Sequence, residues 1–143
     1  MVGVILFSLC GMFFGFFSAY DLAKKIFRND KFEMFLNRLS RFDLLIGIAG
    51  IFVGLWNLFS PNFGFKLDIA SADITLLGAL VPSSLVILSG ASICLHYILQ
   101  FINVEMELKD KILSYRNQYG DLIGVLTFVF SLLHLVTYNI ILL

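Results

Sequence analysis

Four long stretches of the chain contain no Asp, Glu, Lys or Arg: residues 1–20, 44–65, 74–104 and 122–143, about two thirds of the 143 residues. A helix rises about 1.5 Å per residue, so about 20 apolar residues cross a hydrocarbon core of about 30 Å. Each stretch is long enough for that. The mean hydropathy of +0.94 and the 59% hydrophobic content lie far above those of ordinary soluble domains. The expected fold class is an all-α integral membrane protein, a four-transmembrane-helix bundle forming one domain over 1–143. The expected spans are about 2–20, 43–59, 82–104 and 121–142, with a start of the third near Ile74 as the alternative.

Net charge is zero, but the basic residues are unevenly placed. Lys24, Lys25, Arg28, Lys31, Arg38 and Arg41 separate the first run from the second; Lys109, Lys111 and Arg116 separate the third from the fourth. The remaining connection has Lys66 beside Asp68 and Asp73. Lys and Arg in short loops mark the cytoplasmic side. The basic loops 21–42 and 105–120 are therefore expected in the cytoplasm, and the N- and C-termini outside the cytoplasmic (inner) membrane. The first run has no basic residue before it, which argues for a permanent helix over a cleaved signal. Cys10 and Cys94 both lie in apolar runs and have neither metal-site nor CxxC spacing.

Between Lys31 and Phe42, the apolar residues Phe32, Phe35, Leu36, Leu39 and Phe42 recur at helical spacing, with Arg38 and Arg41 interleaved. That pattern predicts a short amphipathic helix on the cytoplasmic side. Asp43 and Asp121 stand directly before apolar runs and are expected as N-caps. Trp56 and Phe59 suit an interfacial belt ahead of the outer loop. Pro82 is well placed for a first helical turn, which favours a third span beginning there.

Every run carries a stripe of small or polar residues. Asp43, Gly47, Gly50, Gly54 and Asn57 share one face of the second; Gly120, Gly124, Thr127, Ser131, His134 and Tyr138 share one face of the fourth. The first has Ser8, Gly11, Gly15 and Ser18, and the third has Ser89, Ser92, His96, Gln100 and Asn103. In lipid, small residues mark where helices meet, because close backbone approach and interhelical hydrogen bonds drive association. Gly11, Gly15, Gly47, Gly50, Gly54, Gly120 and Gly124 are thus the expected packing stripe. A shift of 77 residues carries Gly47 to Gly124, Gly50 to Thr127, Gly54 to Ser131 and Asn57 to His134. Two hairpins repeated in parallel, related by an axis along the membrane normal, would give that pattern.

No acidic or basic residue lies within a span, which argues against a proton-coupled pump. No phosphate loop, metal motif or nucleophile triad is present, so neither an enzyme nor a cofactor or metal is expected. The two histidines are expected at different depths, which disfavours a shared haem. The expected function is non-catalytic: a structural or accessory subunit of a membrane complex, or a homo-oligomer. The alternative is a small channel or transporter for a neutral or weakly charged solute, with a polar path along Asn57, His96, Gln100, Ser131, His134 and Tyr138. The expected partners are the lipid bilayer and either further copies of the chain or a larger membrane protein, with no nucleic acid.

Overall fold

The computed structural model describes residues 2–60, 79–102 and 105–137. These residues are almost wholly helical, with no strand among them. In order they form α1 (Val2–Ser18), α2 (Tyr20–Phe27), α3 (Asp30–Leu39), a short 3-10 turn (Ser40–Phe42), α4 (Asp43–Phe59), α5 (Val81–Phe101) and α6 (Met106–Thr137). The outer loop, a third-span start at Ile74, Asn103 and Tyr138 lie outside the described residues.

Three helical stretches are long and apolar enough to cross a membrane: Asp30–Phe59, Val81–Phe101 and Met106–Val136. α1 and α2 pass the same test only as a pair, bent by 78° at Ala19. Apolar side chains such as Ile5, Leu45, Phe52, Leu88 and Val136 cover the outside of the helices. An all-helical, membrane-associated protein follows from these features.

The basic segments are not loops in the ordinary sense. All but the first residue of the stretch expected as a connection over 105–120 belongs to the first half of one continuous helix, α6, whose 32 residues extend about 48 Å at 1.5 Å each. Glu, Lys, Leu, Arg and Gln are good helix formers, and neither Pro nor Gly interrupts the segment before Gly120. Charge alone does not break a helix. The same continuity corrects the expectation for Asp121, which lies inside α6 and does not cap it. Over 21–42 the chain also turns helical: Asn29 caps α3 by accepting the Lys31 N–H at 3.0 Å, and α3 is strongly amphipathic. Pro82 falls in the first turn of α5, where a missing N–H does no harm.

α1, α4, α5 and α6 pack as a four-helix arrangement. α4 lies chiefly against α5, and α1 chiefly against α6; α5 also touches α6 and α1. Phe7, Phe14 and Val86 form the buried centre, with Cys10, Ile46 and Val53 around it.

Two contact sets have the same form. A methyl group on Gly124 would lie 2.5 Å from the Gly15 oxygen and 2.5 Å from the Ala19 nitrogen; one on Gly47 would lie 2.7 Å from the Gly90 oxygen. Gly124 in α6 thus meets α1 as Gly47 in α4 meets α5. One turn further, Gly50 faces Phe14 and Thr127 faces Ser89.

Candidate functional site

The stripe residues divide into those that meet another helix closely and those that do not. Gly15 and Gly124 bring the backbones of α1 and α6 into contact, and Gly47 and Gly90 do the same for α4 and α5. Gly11 lies under Ser131, Gly50 against Gly90 and Phe14, and Gly54 against Ser83 and Ile87. Gly120 differs, because an added methyl group would meet only Ser92 Oγ, at an ordinary 3.5 Å. Gly90 was missing from the expected stripe. Its face, Ser83–Gly90–Cys94, turns toward α4, whereas Ser89 and Ser92 turn toward α6. A central helix with two neighbours has two small faces, and a single-stripe reading finds only one of them.

The polar groups of the interior bond mostly between helices. Asn57 Nδ2 donates to Ser83 Oγ at 3.0 Å, joining α4 to α5. Thr127 Oγ1 reaches the carbonyl oxygens of Ile123 at 2.7 Å and Leu85 at 3.1 Å, and lies 2.7 Å from Ser89 Oγ. Ser18 Oγ donates to the Gly120 carbonyl at 3.3 Å. His134 is buried edge-on against Phe7, their ring centroids 5.6 Å apart, while Ser8 and Ser131 hydroxyls are buried without partners among the described residues.

The expected polar path is therefore not one line of residues. Asn57, Ser131 and His134 are buried in the bundle. His96 and Gln100 are exposed instead, and they bond to each other at 3.0 Å. Their turn of α5 lies at the basic end, where the helices separate. The two histidines thus occupy different regions and share no site.

At that same end, a cavity of about 400 Å³ opens between the helices. Its polar lining comes from Tyr20 of α2, Ser40 of the 3-10 turn, Asp43 of α4, His96 and Tyr97 of α5, and Arg116 and Asn117 of α6. α4 and α6 are diagonal in the bundle, so the cavity sets Asp43 and Arg116 on facing walls. They do not form an ion pair; among the described residues that contact belongs to Lys24 and Glu33, at 3.3 Å. Asp43 Oδ1 is buried without a hydrogen-bond partner among the described residues. Arg116 Nε donates to the Ser92 carbonyl at 3.4 Å, and its Nη1 to Asn117 Oδ1 at 3.4 Å. Both bonds are long for a charged donor.

Asp121 shows what such a carboxylate does when a donor is at hand. Its Oδ1 accepts the Leu22 N–H at 3.3 Å, one of the unpaired N–H groups of α2's first turn. The bend at Ala19 exposes that group, so Asp121 caps a helix other than its own. Asp43 was expected as the cap of α4, but it is the first residue of that helix, and no side chain caps its N-terminus. The 3-10 turn leads straight into α4 and leaves no break for a cap to fill. No signal in the local sequence separates the two aspartates; the difference comes from the neighbouring helices. Among the described residues, no group of three or more His, Cys, Asp and Glu is arranged to hold a metal ion.

A protein-family model matches residues 1–134. The chain belongs to that family. Membership speaks to common descent and carries no reaction or ligand with it. No curated protein and no solved structure matches the chain.

Proposed function

We propose that this family member is a four-span protein of the cytoplasmic membrane that works without catalysis, as a structural or accessory subunit of a membrane complex or as a homo-oligomer. The observation that carries the reading is how the interior polar groups are used: Asn57–Ser83, Ser89–Thr127 and Ser18–Gly120 each tie one helix to another. Interhelical bonds of this kind serve association in lipid. A solute path along the same stripe has less support, since Asn57 and Thr127 are engaged between helices.

Placement in the membrane follows from the distribution of charge. The basic residues of α2, α3 and the first half of α6 gather at one end, which suits the cytoplasmic face, with the chain termini outside. α1, with 17 residues, extends about 25 Å, and α2 turns away from it to lie with α3 along that surface. The recurrence of the Gly15–Gly124 contact as Gly90–Gly47 further supports two parallel-repeated hairpins, α1 with α4 and α5 with α6.

A tagged full-length chain, extracted in mild detergent and weighed by light scattering and mass spectrometry, tests the functional reading. A stoichiometric partner or a defined oligomer is expected. A solitary monomer that carries a solute across liposomes would overturn it and restore the channel reading.

A further inference from the structure

Where α1 bends into α2 beside α6, the bend encloses a groove of about 280 Å³ that shares no lining residue with the basic-end cavity. Every residue that lines it is apolar. Gly15 and Gly124, whose helices touch there, lie at its back, and Val125 and Phe128 of α6 are exposed at its mouth. α2 leaves α1 at 78° and contributes Leu22 and Ile26, so it crosses the groove at the basic end. A second straight helix laid along α6 would run into α2. A flexible hydrocarbon chain can end beneath it. The two edges of α2 also differ. α3 covers one of them, where Lys24 meets Glu33 and Phe27 meets Phe32. On the edge that α3 leaves open, Lys25 and Arg28 are exposed three residues apart, and neither forms an ion pair among the described residues. Leu22, which lines the groove, lies one turn from Lys25 on that side.

We propose that this groove holds an acyl chain of an anionic phospholipid from the leaflet at the basic end, with Lys25 and Arg28 on its phosphate. The inference rests on the membrane placement above and goes beyond the subunit reading. α2 is strongly amphipathic and lies near the membrane plane, its apolar face in the hydrocarbon and its cations at headgroup depth. The chain fills an apolar space that water does not favour. The phosphate meets two cations that have no partner within the protein. Asp21 lies on the same edge, one turn before Lys25, and opposes the anion. A zwitterionic headgroup brings a cation of its own and gains less from the pair.

The test uses the full-length protein in mild detergent after lipid exchange, once alkaline carbonate washing has shown it in the membrane fraction. Recovery in the soluble fraction would remove the membrane placement itself, independently of this site. Phosphatidylglycerol and phosphatidylcholine are then titrated separately, and bound molecules are counted by native mass spectrometry. One phosphatidylglycerol per chain is expected, held up to about 25-fold more tightly than phosphatidylcholine, about fivefold for each cation. Lys25→Gln combined with Arg28→Gln should remove that preference. Arg38→Gln combined with Arg41→Gln, the same loss of charge at exposed positions of the same end, should keep it. Asp21→Asn should strengthen it. Val125→Trp, which fills the mouth of the groove, should weaken retention of both lipids. Val129→Trp, an equally exposed change one turn along α6 and outside the groove, should not. Thermal melting of each variant separates lost binding from lost folding, and the lipid comparison on the unmodified chain stands without any variant. Equal retention of the two lipids would overturn the proposal. So would equal effects of the two double variants, which would leave only a diffuse attraction to a charged surface. A Val125→Trp protein that keeps its lipid but loses an oligomer would also overturn it, and would assign the groove to a second copy of the chain.

Discussion

At the scale of single residues, the glycines are not equivalent. Gly124→Ala drives a methyl group into the backbone of α1 and should destabilise the protein by about 1–3 kcal/mol, whereas Gly120→Ala meets only Ser92 Oγ at contact distance. The latter should leave melting in detergent unchanged or raise it, because alanine is favoured over glycine by up to about 1 kcal/mol inside a helix. Equal losses for the two would show that α1 and α6 do not approach as described. Asn57→Leu removes the bond to Ser83 and strands a buried hydroxyl; a loss of about 1 kcal/mol is expected in the same melting assay. The positions of Gly15, Gly47 and Gly124 were legible in the sequence, because a period of three and four residues specifies a face whatever lies opposite. The identity of the opposing residue was not. Gly90 escaped notice because its face is offset from that of Ser89 and Ser92, and only the presence of two neighbours explains a second small face.

At the scale of elements, charge proved a poor guide to where helices stop. Residues 106–120 read as a connection because they are polar, yet their composition is that of a helix, and α6 runs through them without a break. The bend between α1 and α2 was not foreseen, since residues 1–20 contain no Pro and the Ser18-x-x-Asp21 spacing at its position lies at the end of an uninterrupted apolar run. Asp121 supplies what the bend needs. Asp121→Ala should cost about 1 kcal/mol, as loss of an N-cap does, and should speed amide exchange at Leu22, while Asp121→Asn keeps an acceptor and most of the protection. Unaltered exchange in Asp121→Ala would show that α2 is held in place by other contacts. α2 and α3 are also clamped by Lys24, whose ammonium lies 2.8 Å from Tyr20 Oη, 2.8 Å from Asn37 Oδ1 and 3.3 Å from Glu33. The Tyr20 hydroxyl holds this lysine protonated above its ordinary range against the opposing effect of burial, with Glu33 adding to the rise. A raised folded value means that the clamp is fully present below the usual lysine pKa of about 10.4 and is lost as pH climbs through the raised one. Labels on α2 and α3 should stay close at pH 10 and separate only in stronger alkali; separation near neutrality would sink this account.

At the scale of the whole molecule, the two most extensive interfaces, α4 with α5 and α1 with α6, both run between the chain's halves and not within them. Residues 1–60 and 79–143, produced together as separate chains, should therefore co-purify from membranes. Failure to do so, with each half stable alone, would contradict an interlocked pair of hairpins. The sequence carried the helical class and the spacing of small residues, which are properties of one helix at a time. It could not carry the cavity at the basic end, because Asp43, His96 and Arg116 come from three different helices and their spacing along the chain has no pattern. The pairing of α1 with α6 also bears on how the protein is made. A ribosome delivers α1 well before α6, so the glycine face of α1 stays open while α4 and α5 are inserted. Its main partner arrives only after both of them. A chain interrupted before α6 is then marked by that uncovered face, which gives membrane quality control a way to tell an unfinished product from a finished one.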